Sequence, residues 1–597
     1  MKILLATLHA RYVHASLALP CLAAACTGID GVTTVIREFT INEPRDETLR
    51  RIVAEDADVT AFSCYIWNIR ETLELAADLK KVASRTFIIL GGPEASFGSF
   101  ELMDRHRSVD CIVKGEGEET FRQLASALRD DHAASRPFRQ ATVDRLQEID
   151  GLVCRSGEDI VITPERPPIP DLDAIPSPFA LGLVDLAKPL VYNETSRGCP
   201  FFCAFCMSSL EKGVRSFSAG RIRDDLRMLM EGGARTVKLV DRTFNYDARR
   251  ANELWDFILV SNKESSFHFE IAADLLTEEN FALLENVAPG VFRFEIGIQS
   301  GKEETLARVG RTSDLVKLYA NVRRLVTSTR VTVHLDLVAG LPHEDYDGFL
   351  DSLQQVFDLL TPNNRYFSVR HPPFIQVEVL KVLKGSPMRK IARDDEYRFS
   401  DTPPYKILST PWLTFGEIGR IEAISRLIDL FCNSGRFGTA LDVLARSAPR
   451  ARMLDSLARF REERATADNR SLVGLFEELW EFGEGYLAGN ERERLREALC
   501  YDYALTECPA AGNQPRFFRG SAGGGVQGAT KELARSLGIG KGSRVRTFRR
   551  QFASDPRRGQ EGMQGVELLF VYISAPGRGL EVRVLEADPY NHQGCPA

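Results

Sequence analysis

The chain has 597 residues, a length that exceeds a single hydrophobic core and predicts three or four domains. Its formal net charge of -7 argues against a large nucleic-acid-binding surface, since phosphate binding requires a basic face. No apolar run is long enough to span a membrane, and the start of the chain is too short and poorly flanked for a signal peptide. We therefore expect a cytoplasmic protein.

Residues 1–150 alternate predicted strands with predicted helices. The strands are Ile3–Thr7, Asp58–Ser63, Thr86–Leu90 and Val109–Val113, and the helices are Ala15–Ala25, Ile69–Ala83 and a third that ends near Leu128. This order, with glycines at strand ends, predicts a doubly wound parallel sheet of the Rossmann-like α/β class. Ligands of such sheets bind at the carboxyl ends of the strands.

The turns at these carboxyl ends include Ser63, Gly91-Gly92-Pro93-Glu94 and Gly115-Glu116-Gly117-Glu118. Each turn alone would suit a nucleotide, a flavin or no ligand. As a set they resemble the cobalamin (B12)-binding domain that precedes the radical domain in one branch of the radical S-adenosylmethionine (SAM) superfamily. The resemblance implies cobalamin contacts from Ser63, Tyr65, Trp67, Gly91, Gly92, Pro93, Glu94, Gly115, Glu116 and Gly117.

The loop after the first strand departs from one type of cobalamin domain. The motif Asp-x-His-x-x-Gly, which supplies a histidine to cobalt in the methionine synthase type, is missing from Leu8–His14. The resemblance then implies a cobalamin without a histidine ligand on its lower face, which the loop Cys64–Asn68 would cover. Trp67 in that loop has the alternative of ordinary packing. His9 and His14 are expected to be loop contacts rather than ligands.

Residues 151–184 contain a short hairpin-like segment followed by closely spaced prolines. Such proline density opposes helix and favours an extended linker. We expect this linker to lie across the domains on either side.

A close cysteine triplet, Cys199-x3-Cys203-x2-Cys206, follows the first strand of the next domain. Thiolates are soft ligands suited to iron–sulfur clusters, and three of them leave one iron of a cubane open. The spacing, with Phe205 before the last cysteine, resembles the radical SAM signature. It implies a [4Fe-4S] cluster that binds SAM and yields a 5′-deoxyadenosyl radical. A zinc site would want a fourth ligand nearby, which is absent, and structural cysteines are the remaining alternative.

Strand and helix patterns repeat through residues 185–395. The predicted strands are Leu190–Glu194, Thr236–Val240, Phe267–Ala272, Phe292–Ile298, Val331–Val338 and Tyr366–Arg370. Six parallel strands with crossover helices predict a partial (β/α)6 TIM-like barrel. The active site of such a barrel lies at the carboxyl ends of its strands.

Period-two alternation gives three of these strands a polar face, with Glu295 and Gln299 on the fourth, His334 and Asp336 on the fifth and Glu270 on the third. Buried charges are costly unless paired or liganded, so we favour a functional cavity over a structural ion-pair network. Glu295-x-Gly297-x-Gln299-Ser300, Gly310-Arg311 and Asp336-Leu337-Val338 resemble the coproporphyrinogen-oxidase-type and methylthiotransferase-type barrels. The resemblance implies SAM contacts from Phe205, Asp241, Glu270, Glu295, Gln299, Arg311 and Asp336. Among these, Arg311 would hold the methionine carboxylate and Asp241 the ammonium.

Residues 396–597 show helical periodicity from about Gly416 to Tyr501, then a glycine-rich loop, Gly520 to Gly528, and a hairpin formed by Glu567–Ile573 and Leu580–Glu586. This mainly helical α+β region resembles the uncharacterised C-terminal domain of one group of cobalamin-binding radical SAM proteins. We expect it to cap the barrel and shape the substrate pocket.

These features predict a cobalamin-dependent radical SAM methyltransferase that acts on an unactivated carbon through the 5′-deoxyadenosyl radical and methylcobalamin. It would need a reducing electron donor, and its substrate could be a small metabolite, lipid, peptide or RNA base. One alternative is a rearrangement or cyclisation without methyl transfer. Another is a catalytically inactive cobalamin-binding sensor or carrier.

Overall fold

A computed structural model of the chain describes residues 1–133, 145–211, 213–360, 373–464, 470–509, 514–518, 527–528, 531–540, 542–557, 565–574 and 579–586. The chain divides into two compact units. The first contains Met1–Asp345 and Val379–Ile418, and the second contains Tyr346–Glu378 and Gly419–Ala597. The expected boundary between the barrel and the C-terminal region was residue 395. In the structure, residues 396–418 belong to the first unit and residues 346–378 belong to the second.

The N-terminal sheet has seven strands in the order β2-β1-β3-β4-β5-β6-β7. They are β1 Lys2–His9, β2 Thr33–Thr40, β3 Val59–Ser63, β4 Phe87–Gly91, β5 Cys111–Val113, β6 Leu152–Ser156 and β7 Asp159–Ile162. The first five are parallel, which confirms the predicted doubly wound class. The last two form an antiparallel hairpin on the sheet edge, so part of the expected linker 151–184 belongs to the sheet.

Helices cover both faces of this sheet. They are α1 Ala18–Ala25, α2 Arg45–Val53, α3 Ile69–Val82, α4 Pro93–Ser96, α5 Ser99–Arg105 and α6 Gly117–Ala133. Successive residues of β1 enter different cores, with Ile3 and Leu5 in one and Leu4 and Ala6 in the other. A strand buried on both faces is mainly apolar, which is why the centre of β1, Ile3–Ala6, is a continuous hydrophobic run.

A second sheet has six strands in the order β15-β14-β13-β12-β11-β8. Its strands, with a separate hairpin β9–β10, are β8 Val191–Asn193, β9 Ser196–Cys199, β10 Gly213–Ser216, β11 Thr236–Leu239, β12 Ser266–Ile271, β13 Phe292–Gln299, β14 Thr332–Ala339 and β15 Phe374–Val379. Its helices are α7 Ala219–Glu231, α8 Ala248–Ser261, α9 Glu278–Leu284, α10 Glu303–Arg308 and α11 Leu315–Ser328. The six-stranded α/β barrel is confirmed. The predicted strand Tyr366–Arg370 lies outside the described residues, and the sixth strand is β15.

The outer face of this barrel packs aromatic side chains in a layer. Trp255 of α8 stacks on Phe294, with ring centroids 5.2 Å apart, and meets Phe269 edge-on. Phe292 and Phe294 share one face of β13 and are fully buried. The apolar side chains thus face the helices, which leaves the alternate, polar positions to the barrel interior.

The remaining elements are largely helical. The helices are α12 Tyr346–Leu360, α13 Met388–Asp394, α14 Phe415–Leu427, α15 Gly438–Leu444, α16 Arg450–Glu463, α17 Leu472–Tyr486, α18 Asn490–Thr506 and α19 Lys531–Ser536. The strands are β16 Arg398–Phe399, β17 Ile407–Ser409, β18 Gln527–Gly528, β19 Arg544–Phe552, β20 Val566–Ser574 and β21 Glu581–Glu586.

The late hairpin is confirmed, since β20 and β21 pair antiparallel. Of the glycine-rich loop, only residues 527–528 lie within the described residues. Among the described residues, no helix has the length and apolar character needed to cross a bilayer.

Gly92 follows β4 and Gly115 lies just beyond β5 at the carboxyl edge of the N-terminal sheet. The two glycines differ in how closely other atoms approach them. Gly92 has a φ of 94°, and an added Cβ would lie 2.6 Å from the Cys64 carbonyl oxygen. Gly115 also has a positive φ, 72°, but a Cβ there would have nothing within 4 Å. We expect Gly115→Ala to cost about 1 to 2 kcal/mol through backbone strain. Gly92→Ala should cost about 2 to 5 kcal/mol, because the clash adds to the strain.

The measurement is the thermal midpoint of the full chain without cobalamin, by calorimetry. Equal shifts for the two variants would contradict the close contact between Gly92 and the Cys64 backbone.

Candidate active site

The cysteine triplet lies in the connection of the β9–β10 hairpin, directly after the first barrel strand β8. Cys199 ends β9 and pairs with Gly213 at the start of β10. Inside the connection, the Ala204 amide donates to the Val309 carbonyl at 2.8 Å, and the Cys206 amide donates to the Cys203 carbonyl at 2.9 Å. Backbone bonds therefore fix this loop to the barrel end.

All three cysteines line one cavity of about 150 Å³ at the mouth of the barrel. The other lining residues are Phe201, Phe205, Ser208, Arg242, Thr243, Glu270, Ile271, Ala272, Glu295, Gly297, Gln299, Arg311 and Asp336. Six of the seven residues predicted to contact SAM are therefore brought together with the cysteines. Three thiols converge here, and none of the described residues that line the cavity is a histidine, which suits an iron–sulfur cluster with an open iron better than a closed zinc site.

Charged groups on the barrel interior form a paired network. Glu295 lies 2.8 Å from the Lys238 ammonium and 2.9 Å from His268 Nε2. Glu270 is held less closely, at 3.5 Å from Lys238 and 3.8 Å from Arg242. Burial favours the neutral acid, but the His268 hydrogen bond and the Lys238 charge keep the pKa of Glu295 well below its usual range. Glu295 thus fits the ion-pair alternative that the sequence left open.

The two other carboxylates that line the cavity, Glu270 and Asp336, behave differently. Burial raises the pKa of Glu270 and outweighs the opposing charges of Arg242 and Lys238. Burial likewise raises the pKa of Asp336, although the His334 imidazole, 3.0 Å away, opposes the shift. A group that is poorly solvated and loosely paired gains most from a polar ligand, so Glu270 and Asp336 are the better candidates for contact with SAM.

Arg311 joins the cysteine loop to the end of β13. Its Nη1 lies 3.7 Å from the Cys203 sulfur, and its Nη2 donates to the Gly297 carbonyl at 2.5 Å. Its Nε is buried without a hydrogen-bond partner among the described residues. One donor is thus satisfied by the backbone, and the guanidinium keeps capacity for a carboxylate in the cavity.

Gln299 has an unusual backbone conformation. Its φ is 69°, in the left-handed region that few residues other than glycine adopt, and the register of β13 shifts here. The Gln299 amide folds back over Gly297, where an added Cβ would collide with Gln299 Nε2. Strained backbone of this kind is concentrated at functional sites.

Asp241 does not line the cavity, which corrects the expected contact with the methionyl ammonium. Its side chain is fully buried and accepts hydrogen bonds from the Thr195 amide, the Thr195 hydroxyl and the Ser196 hydroxyl. It therefore holds the loop after β8. The next residue, Arg242, faces the cavity and was missed.

The carboxyl end of the N-terminal sheet presents an aromatic pair. The rings of Tyr65 and Trp67 stack 4.4 Å apart at 5°. Trp67 is 42 % exposed, which does not fit the alternative of ordinary packing. Burial raises the pKa of Tyr65, while a hydrogen bond with Ser63 and the charge of Arg242 oppose the shift. A geometric link is the ion pair between Glu118, at this edge, and Arg197, two residues before Cys199, which places the edge beside the cysteine hairpin.

The glycines and the proline predicted to contact cobalamin, Gly91, Gly92, Pro93, Gly115 and Gly117, lie at this same edge. Two acidic residues predicted with them are engaged elsewhere. Glu94 is buried and accepts from the Tyr405 hydroxyl at 2.7 Å. Glu116 accepts from Arg215 at 2.6 Å and from the Ile169 amide at 2.6 Å. Both carboxylates thus have protein partners, which argues against cobalamin contacts from their side chains.

Both histidines of the first loop also have partners. His9 Nε2 lies 3.2 Å from Glu38, and His14 Nδ1 lies 2.8 Å from the Tyr192 hydroxyl. One ring nitrogen of each histidine is therefore engaged by the protein, and the absence of a histidine ligand to cobalt stays a prediction.

Three families match successive parts of the chain. Residues 3–125 match the B12 binding domain, residues 193–356 match the Radical SAM superfamily, and residues 394–535 match Protein of unknown function (DUF4080). The three matches follow the order of the sheet, the barrel and the mainly helical region.

Two curated relatives are named methyltransferase and methylase. The chain is 23 % identical over 393 residues to "Cobalamin-dependent radical SAM methyltransferase TokK" from Streptomyces tokunonensis, covering 62 % of this chain and 53 % of that protein. It is 28 % identical over 318 residues to "Hopanoid C-3 methylase" from Methylococcus capsulatus, covering 51 % of this chain and 58 % of that protein. The chain thus spans little more than half the length of these relatives.

Among solved structures, the cobalamin-dependent SAM radical enzyme OxsB with aqua-cobalamin and SAM bound is similar in fold. The TM-score is 0.56 at 14 % identity, and the match covers 84 % of this chain and 83 % of that chain. This likeness supports the fold described above.

Asp241 and Asp336 allow a direct test of which aspartate serves the cavity. Asp241→Asn should lower the free energy of unfolding by about 1 to 3 kcal/mol, because an amide nitrogen cannot replace a buried acceptor. Its SAM affinity should change less than about twofold. Asp336→Asn should weaken SAM binding about tenfold, the expected loss of one charged hydrogen bond.

Calorimetry of unfolding and of SAM binding checks both variants after anaerobic cluster reconstitution. A loss of SAM affinity in Asp241→Asn as large as that in Asp336→Asn would reject the assignment of Asp241 to a structural role.

Proposed function

Because the chain carries a B12 binding domain, a radical SAM domain and a DUF4080 domain in succession, we propose that it is a cobalamin-dependent radical SAM methyltransferase. Its acceptor is an unactivated carbon. The observation that carries the proposal is the convergence of Cys199, Cys203 and Cys206 with Gln299 and Arg311 on one cavity.

The residues fit the groups that this chemistry needs. With both groups bound, the cluster supplies the electron that splits SAM to a 5′-deoxyadenosyl radical, and the corrin carries the methyl group. The three thiolates would hold the cluster, and Arg311 would hold the SAM carboxylate with its remaining donors. Gln299 and Asp336 would bind hydroxyls of the nucleoside.

The carboxyl end of the N-terminal sheet would hold the cobalamin. Gly115 leaves open space where a side chain would stand, so a cofactor can approach the backbone. The Tyr65–Trp67 pair would cover the lower face, since His9 and His14 are bound to Glu38 and Tyr192. We therefore propose cobalamin without a histidine lower ligand.

Three thiolates that bind a cluster need a reducing compartment, so we place the enzyme in the cytoplasm with a reducing electron donor. The substrate class is left open among small metabolites, lipids, peptides and RNA bases.

The test is anaerobic reconstitution of the full chain with iron, sulfide and cobalamin, followed by reduction and mass spectrometry of SAM products. Methyl transfer predicts both S-adenosylhomocysteine and 5′-deoxyadenosine. Cys203→Ala should lower 5′-deoxyadenosine formation by at least about a hundredfold, because removal of one thiolate leaves the cluster without its ligand set. Cys21→Ala, which removes a buried thiol of α1, is the matched control and should retain formation.

Deoxyadenosine without S-adenosylhomocysteine would favour the rearrangement or cyclisation alternative. Absence of both products from protein with full iron and cobalamin content would favour the carrier. Persistent cleavage in Cys203→Ala would refute the cluster assignment.

A further inference from the structure

The hairpin that carries the cysteine loop has two arginines directly opposite one another. In the antiparallel register of β9 and β10, Arg197 pairs with Arg215. Like charges at facing positions of a hairpin repel, so this pair needs acidic partners to be stable. Arg197 stands two residues before Cys199, at the base of the loop.

The main acidic partners come from the N-terminal domain. Arg197 lies 2.6 Å from Glu118 and 3.4 Å from Glu116. Arg215 lies 2.6 Å from Glu116. Glu116 lies in the turn between β5 and α6, and Glu118 lies in the first turn of α6, next to the expected cobalamin edge.

These ion pairs are shielded from water. The side chain of Arg197 is 13 % exposed, and those of Glu116 and Glu118 are 12 % and 11 % exposed. A buried charge is strongly destabilising without its partner, whereas a surface charge is stabilised by water. Buried ion pairs therefore hold their two partners in position more firmly than surface pairs do. Barrel residues Glu194 and Glu211 complete the group at 3.0 and 2.9 Å.

The cysteine loop is thus held in two places, within the loop and at its base. On the barrel side, Ala204 donates to Val309 and accepts from the Met388 amide at 2.9 Å. At the base, the hairpin is held by carboxylates of the N-terminal domain. The position of the loop relative to the cobalamin edge therefore depends on Glu116 and Glu118.

We propose that Glu116 and Glu118 are positioning residues, which set the cluster-binding loop against the cobalamin-binding edge through Arg215 and Arg197. This proposal rests on the proposed function only for the identity of the bound groups, the iron–sulfur cluster and the cobalamin. The ion pairs and the position of the loop are independent of that function. In this proposal Glu116 and Glu118 position the cluster-binding loop and do not contact the cofactor.

The experiment compares the full chain with Glu116→Gln/Glu118→Gln, which keeps size and removes both charges. Hydrogen–deuterium exchange should be about tenfold faster or more for amides of residues 196–216, with little change in β1 or β13. Iron content and cobalamin binding should stay within about twofold of the parent. The electron paramagnetic resonance spectrum of the reduced cluster with SAM should become broader, since the loop samples more than one position.

Glu38→Gln is the matched control. Glu38 forms another poorly exposed ion pair between the same two domains, at 2.8 Å from Lys188, but does not touch the hairpin. It should leave exchange in residues 196–216 unchanged. Arg197→Lys, which keeps the charge, should restore most of the protection lost in Arg197→Gln.

Unchanged exchange and an unchanged spectrum in the double glutamine variant would overturn the proposal, as would equal loosening of the hairpin in Glu38→Gln. If the parent protein cleaves no SAM, the methyltransferase proposal fails, while the exchange data still decide the role of Glu116 and Glu118.

Discussion

The mutual repulsion of Arg197 and Arg215 is the constraint on which the site geometry depends. The two arginines are paired across a short hairpin, and carboxylates from a different domain surround them. The hairpin in turn carries the three thiols, so an electrostatic requirement at its base links two sheets that are separate in sequence. A buried charge is strongly destabilising when its partner moves away. The ion pairs therefore fix the position of the hairpin relative to the N-terminal sheet as well as stabilising the fold.

The classes of both sheets followed from patterns that burial imposes on sequence. A strand covered on both sides has an unbroken apolar run, as in Ile3–Ala6 of β1, whereas a barrel strand alternates, as Phe292 and Phe294 do with Glu295 and Gln299. The loop after β11 lies beyond the reach of this alternation. β11 ends at Leu239, so no strand period extends to Asp241 or Arg242, and the expectation for Asp241 rested on family resemblance.

Other features could not be predicted because they depend on partners far away in the chain. Glu116 finds Arg215 ninety-nine positions later, and Glu94 finds Tyr405 at a separation of 311. A glycine-flanked acid at a strand end looks the same in sequence whether it binds a cofactor or a distant arginine. The edge strand β2 was missed because it is only half-buried and lacks a clear period.

Gly297 and Gln299 form one stretch of the cavity wall, and their conformations are coupled. The backbone at Gln299 is left-handed, and its amide lies where a side chain at 297 would stand. A larger residue at 297 would therefore require the Gln299 amide to swing aside. A substitution at 297 would thus reshape the cavity twice, once through its own side chain and once through the displaced amide.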